Sequence, residues 1–218
     1  MALFALEQEL IFPPVQLAEP DGLLAMGGDL STERLLLAYR SGIFPWYEGT
    51  IPLWWCPNPR FVLFPEKLKI SKSMQQLIRK EAFRFSINSD FRSVIRACKT
   101  SLRKGQLGTW ITDEVEEAYC LLHQKGYAFS AEAWNGNALA GGLYGIRMGM
   151  VFFGESMFSR ENNASKFAFI RYMEQLKMEG VKLVDCQVHT PHLESLGAEM
   201  IPREIFIKKL GELLPAEQ

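Results

Sequence analysis

Beyond residue 65 the apolar positions recur with regular spacing, whereas before it they are interrupted by proline, glycine and tryptophan. In the regular part, Met74, Leu77 and Ile78 share one helical face behind the N-cap candidate Ser71. Phe83 to Asn88 alternates as a short strand, and Ser89 or Asp90 then caps a helix whose apolar face is Phe91, Val94, Ile95 and Cys98. A third helix is predicted from Thr112 to Gly126, with Asp113 and Glu114 favourably placed against its N-terminal dipole. Strand-like runs follow over 127–134, 138–147 and 150–157, broken by Asn135-Gly136-Asn137, a hairpin-turn signal, and by Gly149. A helix over about 165–179 ends at Gly180 and feeds a strand over 181–188.

Residues 12–65 read differently. Phe12-Pro13-Pro14, Gly27-Gly28-Asp29, Phe44-Pro45-Trp46-Tyr47 and the run from Ile51 to Arg60 forbid long regular elements. They leave room for one short helix, from the N-cap Ser31 to near Gly42, that buries Leu35, Leu36 and Tyr39. The change of pattern places a small Pro/Gly-rich N-terminal domain over 1–63 and a larger domain over 64–218. Helices, then meandering strands, then a helix and a strand argue an α+β fold with a mostly antiparallel sheet.

A composition of 48% apolar and 22% charged residues excludes a disordered or fibrous chain. No apolar run is long enough to span a membrane, and the start lacks the basic region and apolar core of a secretory leader, so a cytoplasmic location is expected. Cys56, Cys98, Cys120 and Cys186 are scattered and read as reduced thiols. The net charge of −1 hides a strong polarity: residues 60–104 hold twelve Lys or Arg against Glu66, Glu81 and Asp90. Arg92, Arg96, Lys99 and Arg103 recur on the polar face of one predicted helix, and Lys72, Arg79 and Lys80 precede them. Such a face is either merely solvated or a seat for a phosphate backbone. The near absence of acids within the block favours the phosphate backbone. No zinc finger, basic zipper or aromatic RNA-binding pattern accompanies it, so binding should follow backbone shape.

Three features carry candidate chemistry. Trp46 lies in a proline-locked turn and Trp110 just ahead of a helix, both places where a ring can face a cleft and stack on a base, while Trp54 or Trp55 belongs to the core. In the strand ending Asp185-Cys186-Gln187-Val188, period-two geometry puts Asp185 and Gln187 on one face. They form either a satisfied buried pair or a relay in which Asp185 orients Gln187 toward a reacting amine or carbonyl. Glu155 closes the apolar run from Met150 and either meets Arg160 or Lys166 or faces a pocket, where it would suit a substrate ammonium. Cys186, on the apolar side of its strand, is expected to be an inert thiol. His189-x-x-His192 lacks the further ligands of a zinc site, and Gly141-Gly142-x-x-Gly145 lies inside a strand pattern rather than opening a helix. No phosphate loop or nucleophile elbow is present, and no metal or cofactor is expected.

Taken in order, Gly22-Leu23-Leu24-Ala25-Met26-Gly27-Gly28-Asp29-Leu30-Ser31, Gly42-Ile43-Phe44-Pro45-Trp46, Trp54-Trp55-Cys56-Pro57-Asn58-Pro59-Arg60, Gly108-Thr109-Trp110-Ile111-Thr112, Gly154-Glu155-Ser156-Met157-Phe158-Ser159 and Asp185-Cys186-Gln187 strongly resemble the bacterial leucyl/phenylalanyl-tRNA–protein transferases. The resemblance implies that the larger domain has an acetyltransferase-like fold. It implies transfer of Leu, Phe or Met from aminoacyl-tRNA to proteins with N-terminal Arg or Lys, marking them for degradation through the N-degron pathway. By motif, Trp46 and Trp110 resemble the aromatics that hold the terminal adenosine, Glu155 the acid near the aminoacyl amine, and Asp185 and Gln187 the pair at the ester. Met157, Phe153, Cys186 and Met148 resemble parts of the amino-acid pocket, with Gly154 and Ser156 flanking Glu155 in the substrate-binding run. A monomer is expected. An acyl-CoA-dependent N-acyltransferase would share the fold but needs a [QR]-x-x-G-x-[GA] loop that is absent. A non-catalytic RNA-binding protein would leave Glu155, Asp185 and Gln187 without employment.

Overall fold

A computed structural model describes residues 3–101 and 109–215. It holds two sheets. The smaller has four strands in the order β1-β2-β4-β3, where β1 is Phe4–Leu6, β2 Leu23–Gly27, β3 Phe44–Pro45 and β4 Leu53–Trp55. Helix α1 (Thr32–Arg40) links β2 to β3, and the Ser31 side chain caps it by accepting from the Arg34 N–H. Leu35 and Tyr39 are buried, while Leu36 is only half-buried. Trp54 is the core tryptophan and donates its Nε1–H to the Gly27 carbonyl at 2.9 Å.

The larger sheet has seven strands: β5 (Arg60–Leu63), β6 (Arg84–Ile87), β7 (Ala128–Asn135), β8 (Ala138–Met148), β9 (Val151–Ser159), β10 (Leu183–Gln187) and β11 (Glu199–Ile201). Their order is β11-β5-β10-β9-β8-β7-β6, antiparallel throughout except for the parallel pair β9–β10. The chain therefore enters this sheet at Arg60, ahead of residue 63. Ser71, Asp90 and Thr112 cap α2 (Lys72–Arg79), α3 (Phe91–Thr100) and α4 (Asp113–Gln124), each side chain accepting a backbone N–H three residues on. Alternation along the strands splits the core in two. Val94 and Ile95 of α3 and Tyr119 of α4 pack with Leu24, Tyr39 and Trp54 on one face. Met74 of α2 packs with α5 (Ala164–Met178) on the other. Two further helices, α6 (Pro191–Ser195) and α7 (Arg203–Leu213), flank β11. No helix among the described residues is long and apolar enough to cross a membrane.

The parallel pair positions the site. β9 and β10 are in register only from Leu183 opposite Val151 to Asp185 opposite Phe153, although β9 runs on to Ser159. Two register shifts accompany the parting. In β8–β9, Tyr144 pairs with Ser156 and Gly145 with Gly154, leaving Glu155 as the extra residue. In β5–β10 the register slips between Asp185 and Gln187. Gly145 is required there: a β-carbon on it would lie 2.2 Å from the Phe153 carbonyl oxygen.

Candidate functional site

The parting of β9 and β10 leaves a cavity of about 630 Å³, walled by residues 154–159 and 184–188 and closed from the side by Phe44, Pro45, Trp46 and Trp110. Trp46 is 36% exposed and its ring lies 5.8 Å from that of Trp55, which donates to the Trp46 carbonyl. Trp110 is buried and also lines the cavity. An exposed aromatic ring of this kind can stack on a base.

Behind the aromatics runs a buried polar chain. Asp185 takes both prongs of the Arg60 guanidinium, Nε on Oδ1 at 2.8 Å and Nη2 on Oδ2 at 2.6 Å. Its Oδ1 also accepts the backbone N–H of Gln187 at 2.9 Å, and Gln187 sits at φ +65°, in the left-handed region. That turn breaks the strict alternation expected of the strand. The Gln187 side chain then donates Nε2–H to Glu155 Oε1 at 2.9 Å. Tyr119 donates its hydroxyl to Glu155 Oε2 at 3.1 Å, and the Tyr39 hydroxyl is hydrogen-bonded to that of Tyr119. Of the two readings of Glu155, the ion pair with Arg160 or Lys166 is not formed. Arg160 stacks on Phe158 and donates to the Leu139 carbonyl instead. With no cation against it, burial pushes the Glu155 carboxyl up to about 8, the Asp185 charge adding to the rise and hydrogen bonds from Tyr39, Tyr119 and Gln187 opposing it. Burial and the nearby Glu155 push the Tyr39 and Tyr119 phenols well above their ordinary value.

Gly154, Ser156, Met157 and Cys186 line the cavity, and burial pushes the Cys186 thiol well above its ordinary value. Phe153 and Met148 do not line it. Phe153 is buried in the core, its ring 5.1 Å from that of Tyr39, and Met148 is buried near the far end of β8. The apolar wall is completed instead by Leu143, Phe169, Val184 and Leu193. His189 pairs with Glu194 while His192 faces the cavity, and no group of metal-ligating side chains is present among the described residues.

The basic block needs correction. Arg92 pairs with Glu116 and Glu117, Arg96 with Glu116 at 2.7 Å, and Lys99 with Asp113 and Glu116. The acids come from α4, which packs beside α3, so counting charges within the block missed them. Glu116 shows the effect: although burial works against it, hydrogen bonds from Arg96 and Lys99 hold its carboxyl below the usual range. Lys72 and Arg79 lie on α2, with Lys80 just after it, and α2 packs on the other face of the sheet from α3. The six described residues do not form one continuous basic stripe, and Arg103 lies outside the described residues.

Sequence reasoning missed Arg60, Tyr39 and Tyr119. Arg60 had a signal: a cation opening the apolar strand Phe61-Val62-Leu63 has to find a buried partner. The tyrosines had none, because each occupies an apolar helix position where a hydroxyl and a methyl pattern alike.

The chain matches the leucyl/phenylalanyl-tRNA protein transferase family over residues 62–211 and the N-terminal domain of the same family over residues 28–58. Leucyl/phenylalanyl-tRNA–protein transferases of Syntrophus aciditrophicus and Christiangramia forsetii are each 56% identical to it; the first match covers 94% of this chain and 87% of the relative, the second 91% and 95%. The Flavobacterium johnsoniae protein of the same name is 54% identical, over 95% of this chain and 99% of its own. Among solved structures, L-PGS from Bacillus licheniformis superposes with a TM-score of 0.42 at 12% identity, over 77% of this chain and 54% of that one, too remote to bear on the reading. With the family's two parts matched in order along the chain, and with more than half of all positions identical to relatives of nearly the same length, the chain belongs to the leucyl/phenylalanyl-tRNA–protein transferase family.

Proposed function

We propose that the cleft between β9 and β10 receives the 3′ end of a tRNA charged with Leu, Phe or Met, and that the amino acid passes there to the N-terminal Arg or Lys of a protein, marking it for degradation. The observation that carries this is the juxtaposition, in one cavity, of two tryptophans with the buried chain Asp185–Gln187–Glu155. An aminoacyl ester is already activated, so the reaction requires positioning and a proton path. The acceptor amine attacks the ester carbonyl, a C–N bond forms, and the ribose oxygen leaves and takes up a proton. Holding the two reactants in register is worth about 7–11 kcal/mol. Gln187 donates its amide N–H to Glu155. That leaves its carbonyl oxygen as the end able to take a hydrogen bond from the attacking amine. Glu155 addresses the aminoacyl ammonium, while Trp46 and Trp110 hold the adenosine. Met157, Cys186, Leu143 and Phe169 surround the side chain, which should admit Leu and Phe and exclude residues branched at the β-carbon.

In this reading the larger unit is acetyltransferase-like, supported by the single parallel pair that opens an otherwise antiparallel sheet. The division at residue 63, a cytoplasmic location and a monomeric state belong to the same proposal. Lys72, Arg79 and Lys80 remain candidates for the tRNA backbone; the α3 residues Arg92, Arg96 and Lys99 would contact it only as part of a mixed-charge surface.

The reading is tested with a hydrolysis-resistant 3′-leucylamido adenosine, its binding followed by tryptophan fluorescence. Each base–aromatic contact contributes about 1–3 kcal/mol, so Trp46→Ala and Trp110→Ala should each weaken binding by roughly 5- to 150-fold. Unchanged affinity in both variants would take the adenosine out of this cleft. Transfer is also expected to fall steeply as salt rises from about 50 to 200 mM; a flat response would exclude a phosphate-dominated interface.

A further inference from the structure

Arg60 is a fully buried cation that the cleft reading gives nothing to bind. Its guanidinium lies between the rings of Phe44 and Phe206, at 4.7 and 4.6 Å from their centres, with Asp185 filling its edge. Removing two charges from water is unfavourable, and apolar residues of the same volume would stabilise a core at least as well. What an ion pair with this fork-to-fork geometry provides is orientation. Asp185 is turned so that Oδ1, while bound to Arg60, also accepts the Gln187 N–H. That bond closes the turn which holds Gln187 at φ +65°, a conformation costly for a residue with a β-carbon. The turn in turn delivers the Gln187 amide to Glu155. Phe44, one face of the stack, is followed directly by Pro45 and Trp46.

We infer that Arg60 is a positioning residue of the transfer reaction: it fixes Asp185, and through Asp185 the turned backbone that presents Gln187 to the cleft. Both Asp185 oxygens are engaged by Arg60 and by the Gln187 backbone, so Asp185 acts as an anchor and does not itself take the proton of the attacking amine. This inference rests on the proposed reading of the cleft.

The test uses the whole chain, measuring transfer of leucine from leucyl-tRNA to a peptide beginning with Arg, each variant first shown native by near-ultraviolet circular dichroism. Arg60→Lys keeps the charge and loses the fork. It should lower kcat about 10- to 100-fold while KM for leucyl-tRNA stays within about twofold. Asp185→Asn combined with Arg60→Met removes both charges together and should be as slow as Asp185→Asn alone, neither slower nor restored, because the two residues act in series. Unimpaired kcat in Arg60→Lys, a loss confined to KM, or a double variant as slow as the product of the single losses would each overturn the inference. If Lys at position 60 is not native, the double variant carries the test, and recovery of kcat toward wild type would reduce the ion pair to a packing element. Failure of the wild-type chain to transfer would overturn the cleft reading as well, whereas wild-type activity beside an unimpaired Arg60→Lys would overturn the role of Arg60 alone.

Discussion

Replacing Asp185 with Ala is expected to lower kcat by about 100-fold or more while KM for aminoacyl-tRNA changes by no more than about twofold. The carboxylate touches neither tryptophan nor the apolar wall; its partners are Arg60 and the Gln187 backbone. Its loss frees the turn that aims Gln187 and leaves the groups that hold adenosine in place. It also strands a buried guanidinium, a change that typically lowers stability by about 3–5 kcal/mol. Kinetics are therefore read below the midpoint of the variant's own thermal transition. The check is a steady-state titration of leucyl-tRNA at saturating acceptor peptide. Equal losses in kcat and in affinity would move Asp185 from the reacting centre to the general architecture.

Glu155→Gln is expected to change how stability depends on pH. In the folded chain the Glu155 carboxyl sits at about 8, raised by burial, and the unfolded value is about 4.3. Below the unfolded value both states hold the proton and no difference arises. As pH rises toward 8 only the unfolded chain releases it, so the native state loses about 1.4 kcal/mol per unit, and the loss levels off above 8. Between pH 5 and pH 8 the wild type should lose about 3–4 kcal/mol relative to Glu155→Gln, whose side chain does not titrate. Urea unfolding of both proteins at a series of pH values supplies the comparison, and shared titrations cancel in the difference. Parallel curves would mean that Glu155 is already charged in the free protein. In the proposed reaction a carboxyl held uncharged until an ammonium group arrives discriminates between charged and deacylated tRNA.

The elements between residues 71 and 188 were visible as periodicity, whereas the short strands β1 to β5 and the final α6, β11 and α7 were not. Ser31, Ser71, Asp90 and Thr112 cap helices where the sequence puts them, because an N-cap is a local arrangement of one side chain and one N–H. The hairpin at Asn135-Gly136-Asn137 is local in the same sense. Pairing between distant segments was not legible. Arg60 and Asp185 meet across 125 positions, and the acids that neutralise Arg92, Arg96 and Lys99 stand on the next helix. Alternation also failed at the two register shifts beside the site. A regular strand would put Gln187 simply on the Asp185 side; the irregularities at Glu155 and Gln187 re-aim these polar groups. Trp46, Trp110, Met157 and Cys186 reach the cavity because each lies on a segment whose sequence already marked it as a turn, a helix entry or a strand end.

The most direct test of the central claim is transfer of labelled leucine from leucyl-tRNA to two peptides that differ only in beginning with Arg or with Ala, with no nucleotide triphosphate and with chelator present. The account predicts transfer to the Arg peptide, little to the Ala peptide, and loss of transfer in Asp185→Ala. With intact charged tRNA and an active control transferase, no transfer, or equal transfer to both peptides, would contradict it.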